Sequence, residues 1–97
     1  MYVNIDKAKL NNMMNNKNDF LLLDVRTEEE FEEGFIPGAL NVPISTLLFN
    51  LNDIEDYKNK AIVVYCRSGH RSITACTLLE MEGFEKLYNL ETGIIGY

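Results

Sequence analysis

At 97 residues the chain suits one domain and leaves no room for two, and a chain of this size buries roughly 60–70% of its unfolded surface, enough for one real core. Hydrophobic residues make up 46%, as in a soluble globular protein, and no apolar run approaches the ~20 residues that a membrane span needs. The net charge of −6 argues against nucleic acid, which wants a basic face.

The first residues, Met1-Tyr2-Val3-Asn4-Ile5-Asp6, have neither a basic region nor an apolar signal core, so the expected location is cytoplasmic. Tyr2 to Ile5 reads as a short strand. Asp6 can cap a helix from Lys7 to about Asn15, with Ala8, Leu10, Met13 and Met14 on its apolar face. The asparagine cluster 11–18 weakens that helix and ends it. Phe20 to Val25 is a near-continuous apolar run, the mark of a strand buried on both faces. Thr27 can cap a short helix whose first turn holds Glu28, Glu29 and Glu30, where the helix dipole favours acids. Gly34, Pro37 and Gly38 punctuate a loop. Ala39 to Val42 is a short strand ended by Pro43, and Ser45 to about Leu51 a helix, with helical character continuing up to Tyr57. Ala61 to Tyr65 is a second fully apolar strand. Arg71 to Glu82 is the best helix, and Gly83 stands where a C-terminal cap is expected. Leu87 to Leu90 is a last strand, and Gly93 to Tyr97 a tail.

Strands alternate with helices, and the two longest strands are apolar throughout. That pattern predicts an α/β fold with a parallel sheet and helices on both faces. In such sheets the ligand site lies beyond the carboxyl ends of the strands. Asp24-Val25-Arg26 and Cys66 both fall at such ends.

The apolar run ending at Tyr65 stops at Cys66, and Arg67-Ser68-Gly69-His70-Arg71-Ser72 follows before the helical pattern begins. A strand ending in a thiol, with a loop curling into a helix N-terminus, builds an anion cradle around a thiolate. The thiolate is the reactive form of cysteine, and its pKa falls beside arginine and at a helix N-terminus. The amides of residues 67–72 can form a nest, to which the helix dipole adds. Gly69 suits a curl that needs a positive φ. The segment 66–72 carries two arginines and no acid, so it makes an anion site locally in a chain whose overall field repels anions.

These residues resemble the single-domain rhodaneses, a sulfurtransferase family. Leu22-Leu23-Asp24-Val25-Arg26, Glu28-Glu29-Glu30-Phe31, Gly34, Ile36-Pro37-Gly38-Ala39-Leu40-Asn41-Val42-Pro43 and Tyr65 to Ser72 are each similar to a family signature, in the family's order. The resemblance implies a rhodanese-like fold: a five-stranded, mostly parallel sheet flanked by helices on both faces. It also implies that Cys66 takes a sulfane sulfur from a donor such as thiosulfate, becomes a persulfide, and passes the sulfur to cyanide or another thiophilic acceptor. Phosphatases and arsenate reductases on the same fold carry C-x5-R, whereas Cys66 and Arg71 here make C-x4-R. The shorter loop suits a sulfur better than a wrapped phosphate. Three positions depart from the family pattern: Phe35 where histidine is frequent, Thr92-Gly93 in place of a glycine pair, and Tyr97 where a tryptophan is common.

Role by role, Cys66 is the expected catalytic nucleophile, while Cys76, mid-helix among apolar residues, is expected in the core. The expected substrate-binding set is Arg67, Ser68, Gly69, His70, Arg71 and Ser72. Within it, Arg67 contacts the donor anion, His70 makes a polar contact with substrate or solvent, and Ser72 either donates to the sulfur or caps the last helix. Arg71 either binds substrate or pairs with Asp24 across adjacent strand ends. Arg26 is expected to clasp Glu30, so Asp24, Arg26 and Glu30 act as structural support. No metal is expected, since His70 is the only histidine and the two cysteines stand ten apart, and no organic cofactor is implied. The expected partners are a small anionic sulfur donor and a thiophilic acceptor, with neither nucleic acid nor membrane involved. The alternatives are a sulfur carrier that exchanges with a protein such as a cysteine desulfurase and, less favoured by C-x4-R, a phosphatase or arsenate reductase.

Overall fold

The computed structural model describes residues 1–16 and 19–97. Its strands are β1 (Val3–Ile5), β2 (Phe20–Asp24), β3 (Leu40–Asn41), β4 (Ala61–Tyr65) and β5 (Lys86–Leu90), and its helices are α1 (Lys7–Asn15), α2 (Glu28–Glu32) and α3 (Arg71–Met81). The strands form one sheet in the order β1-β5-β4-β2-β3, and every pairing is parallel. This is the α/β architecture expected, with β4, the strand that leads to Cys66, at its centre.

Side chains alternate across the sheet, and the alternation sorts the core into two layers. Leu21, Leu23 and Val25 of the β2 segment and Ile62, Val64 and Cys66 of the β4 segment face one side, where they pack on Ala75, Cys76 and Leu79 of α3 and on Leu47 and Ile54. Leu22, Val63 and Tyr65 face the other, against Leu10 and Met13 of α1 and against Ile36. Apolar residues on both faces of β2 and β4 explain why those segments read as unbroken apolar runs. The register pairs Asp24 with Tyr65, so these two point to the α1 face while Cys66 points to the α3 face.

Local signals operate as the side chains dictate. Asp6 accepts from the Lys9 N–H at 2.8 Å and caps α1. Thr27 and Glu30 form a reciprocal capping box at α2. Gly83 closes α3 with a φ of 92°. The helix α1 ends at Asn15, as expected, and of the asparagine cluster over 11–18, residues 17 and 18 lie outside the described residues.

The segment after Pro43 differs from expectation. Instead of a helix from Ser45 it makes three short 3-10 turns, Ile44–Phe49, Leu51–Asp53 and Glu55–Tyr57. Side chains there take carbonyls for themselves: the Thr46 hydroxyl donates to the Pro43 carbonyl and the Asn50 amide to that of Thr46. Asn50, with φ −123°, leaves helical conformation altogether. The strand expected over 39–42 shortens to Leu40–Asn41 at the sheet edge, and the expected tail forms a 3-10 turn at Ile94–Gly96.

Candidate active site

β4 ends at Tyr65, and Cys66 continues its pleat on the α3 face, 1% exposed. The chain then curls through residues 67–70 into the N-terminus of α3. Gly69 takes a φ of 97° at the tightest point, as anticipated. Its N–H donates to Cys66 Sγ at 3.2 Å, and the Ser72 hydroxyl lies 3.5 Å from the same sulfur. Burial pushes the Cys66 thiol up, but hydrogen bonding with the Ser72 hydroxyl and with the amides of Ser72, Gly69 and Ser68 outweighs it and holds the group below its ordinary value. Of the six amides anticipated, that of Gly69 reaches the sulfur at hydrogen-bond distance.

The first two peptides of the loop are fixed by their carbonyls. The Cys66 carbonyl accepts from the Ile94 N–H at 3.0 Å, and the Arg67 carbonyl from that of Ile95 at 3.1 Å. A trans peptide points its N–H opposite its C=O, so fixing the Arg67 carbonyl on Ile95 turns the Ser68 N–H away from the strap, toward the cup. Residues 93–95 thus act as a strap across the loop. Contact is close enough that a Cβ on Gly93, at φ 64°, would run into the Arg67 carbonyl, and one on Gly69 into that of Glu91. The sequence predicts only a tail over 93–97 and does not reveal the strap. Its one signal was Gly93.

The charged residues pair differently from expectation. Arg26 does not clasp Glu30; its Nη2 meets Asp24 Oδ2 at 2.7 Å and the Gly34 carbonyl at 2.7 Å, and its Nε reaches both Asp24 oxygens at 3.1 Å. Hydrogen bonding to Asp24 raises the Arg26 pKa further. Arg71 does not reach Asp24; it binds Glu30 with two hydrogen bonds of 2.7 and 2.9 Å. The cause is pleat parity. Residues 24 and 26 lie on one side of an extended chain, the α1 face, whereas α3 covers the other face. Arg71 therefore meets α2, which rises beyond the end of β2. The Arg71 guanidinium holds the Glu30 carboxyl down, from 4.5 to about 2.

Arg67 and Ser68 are exposed at the mouth of the cup, and Arg67 makes no ion pair among the described residues. His70 is exposed and its Nδ1 lies 3.3 Å from the Ser68 hydroxyl. Ser72 does not cap α3 by its side chain. It is fully buried, and its hydroxyl donates to Asn89 Oδ1 in a short hydrogen bond. Asn89 is a residue that the sequence reading missed; its signal was a carboxamide inside the apolar strand Leu87–Leu90. Cys76 is fully buried under α3, and burial pushes its thiol up to about 12. Tyr65, buried on the α1 face, accepts from the Ile36 N–H at 3.1 Å, and burial raises its hydroxyl above the ordinary value. Among the described residues no three His, Cys, Asp or Glu side chains are gathered as a metal site, and no helix is long and apolar enough to cross a membrane.

The arrangement is a thiol of lowered pKa at the bottom of a cup of amides, with Arg67 the guanidinium free of an ion pair at the rim among the described residues. Such a cup can hold a second sulfur as an anion on the first. Comparison with known proteins agrees with the geometry. The family model for the Rhodanese-like domain matches residues 6–97. A sulfurtransferase of Allochromatium vinosum is 38% identical over 93 residues, covering 96% of this chain and 85% of that protein. The tRNA uridine(34) hydroxylase of Buchnera aphidicola is also 38% identical, over 92 residues, but the chain spans only 29% of its length. The crystal structure of a rhodanese-like domain protein from Staphylococcus aureus superposes with a TM-score of 0.87 at 32% identity, covering 97% of this chain and 89% of that one.

Proposed function

The chain belongs to the rhodanese-like domain family, and from that premise we propose that it is a thiosulfate sulfurtransferase working through a persulfide on Cys66. The observation that supports this most is the Cys66 sulfur itself, which accepts from the Gly69 N–H at 3.2 Å, lies 3.5 Å from the Ser72 hydroxyl, and has its pKa lowered by the surrounding loop. In the first half-reaction the Cys66 thiolate attacks the terminal sulfur of thiosulfate. The donor's S–S bond breaks, sulfite leaves with the electron pair, and Cys66 carries a persulfide anion. In the second, cyanide attacks the outer sulfur, the persulfide bond breaks, and its electron pair returns to Cys66 as thiocyanate departs. The amides of Ser68, Gly69 and Ser72 are placed to stabilise the anionic sulfur in both states, and Arg67 receives the donor's sulfonate. Intact mass after thiosulfate treatment tests the reading: one sulfur atom is gained and then lost on adding cyanide. An unchanged mass in folded protein overturns it.

A second donor class is favoured by one observation. Glu30 occupies both faces of the Arg71 fork, which leaves Arg67 as the rim's free guanidinium among the described residues. A dianion gains less there than a two-arginine site would give it. A persulfide presented by a thiol or by a partner protein, carrying a single negative charge, needs no more. Faster loading of Cys66 from a small-molecule persulfide than from thiosulfate would support this carrier role.

A further inference from the structure

A hydrogen-bonded row of side chains leads away from Cys66 on the α3 face. Cys66 Sγ lies 3.5 Å from Ser72 Oγ, the Ser72 hydroxyl donates to Asn89 Oδ1, and Asn89 Nδ2 donates to Asn4 Oδ1 at 3.0 Å. The sheet register builds this row. Asn89 pairs with Val64, two residues before Cys66 on the same face, and with Asn4 of the edge strand β1. Ser72 is 0% exposed and Asn89 1%, so water cannot replace either partner, whereas Asn4 at the far end is exposed.

Ser72 has one proton to give. With Cys66 a thiol, S–H donates to Ser72 Oγ and the hydroxyl proton goes on to Asn89. Once Cys66 is a thiolate or carries a persulfide anion, the sulfur has no proton to donate, and the hydroxyl is needed as a donor to it. The buried Ser72 oxygen then requires a donor of its own. A carboxamide can be either partner: turned by half a revolution, Asn89 offers Nδ2–H to Ser72 where it offered Oδ1, with almost no change of shape. Asn4 can turn in response at the surface.

We propose that Asn89 is a positioning residue that lets Ser72 change from acceptor to donor as the sulfur on Cys66 becomes charged. The proposal rests on Cys66 being the sulfur-carrying nucleophile. The other charged groups around the sulfur stay constant under this exchange. Arg71 of α3 is held by Glu30, Arg26 and Asp24 pair on the opposite face of the sheet, and Arg67 and His70 lie in the loop.

The test is the pH titration of the thiolate's ultraviolet absorbance, taken as the difference from Cys66→Ser. Asn89→Leu, which can neither give nor take a proton, is expected to move the Cys66 midpoint up by roughly one unit, about tenfold less thiolate at a fixed lower pH. Asn89→Asp, an acceptor that keeps the Ser72 proton for itself, is expected to move it further. In a Ser72→Ala background Asn89→Leu is expected to add nothing, because the effect passes through the hydroxyl. An unchanged midpoint in folded Asn89→Leu overturns the proposal, as does a shift that persists without Ser72. Should the leucine variant fail to fold, the near-isosteric Asn89→Asp decides alone, and an unmoved or lowered midpoint overturns the proposal. The titration reads the thiol without any sulfur donor, so failure of sulfur loading would count against the function and not against this role.

Discussion

Arg71 and Glu30 meet fork to fork, at 2.7 and 2.9 Å, and thereby join the first turn of α3 to the first turn of α2. Glu30 is also the residue that completes the capping box with Thr27, so one carboxylate fastens two elements at the edge of the cup. Arg71→Leu is expected to reduce sulfur transfer several-fold through loosening of the loop, with the larger part in kcat, since the guanidinium is already engaged. A loss confined to KM for thiosulfate would instead make Arg71 a substrate ligand.

The same pair has a pH signature. The Glu30 carboxyl is depressed in the folded protein, from 4.5 to about 2. A depressed carboxyl contributes stability above its unfolded pKa and loses it as pH falls through the folded value. Thermal melts of wild type and Arg71→Leu are therefore expected to differ at neutral pH and to converge between pH 4.5 and about 2. Both side chains are partly exposed, at 27% and 38%, so solvent screening keeps the difference small. A gap that widens on acidification would contradict the assignment.

Cys66→Ala is expected to abolish transfer of sulfur to cyanide while leaving the fold in place, because the residue contributes one small side chain to a core held by many. Intact mass and a thermal melt check the two halves of the statement. In the wild type the Cys66 titration midpoint is expected below that of a free thiol, and Cys76 is expected to stay protonated until far higher pH.

Gly93→Ala places a methyl group against the Arg67 carbonyl at a positive φ. The strap must then lift, and the Ser68 amide is no longer held toward the cup. A loss of stability of order 1–3 kcal/mol is expected, together with a rise of the Cys66 midpoint toward the free-thiol value. A stable variant with an unchanged midpoint would show that the strap does not set the thiol.

Arg67→Ala is expected to raise KM for thiosulfate several-fold without change in melting temperature, as the side chain is exposed and makes no ion pair among the described residues. Initial rates over a range of thiosulfate concentrations measure it. Equal kinetics would remove Arg67 from the donor site.

What the sequence disclosed was governed by how local each cause is. The apolar runs of β2 and β4, the capping box and the Cys66 loop with its glycine are written in neighbouring residues, and the structure reproduces them. The pairing of the arginines was not legible, because being near the same strand ends says nothing about which face a side chain takes. Asp24 shares the parity of Leu22, and Cys66 that of Val64; only the register Asp24 with Tyr65 reveals that the two stand on opposite faces. Asn89 and the strap escaped for a related reason. Each acts on Cys66 across more than twenty residues of chain, through a strand pairing or a backbone hydrogen bond that composition does not encode.

The strap has a consequence for how the molecule comes into being. Synthesis delivers Cys66 and most of α3 well before Gly93, Ile94 and Ile95, and β1 waits for β5 before it can pair at all. From its addition until residues 93–95 follow, Cys66 therefore sits in a loop without its strap. The backbone hydrogen bonds that shape the loop of the nucleophile thus form in the same stretch of synthesis that joins β1 to the sheet through β5.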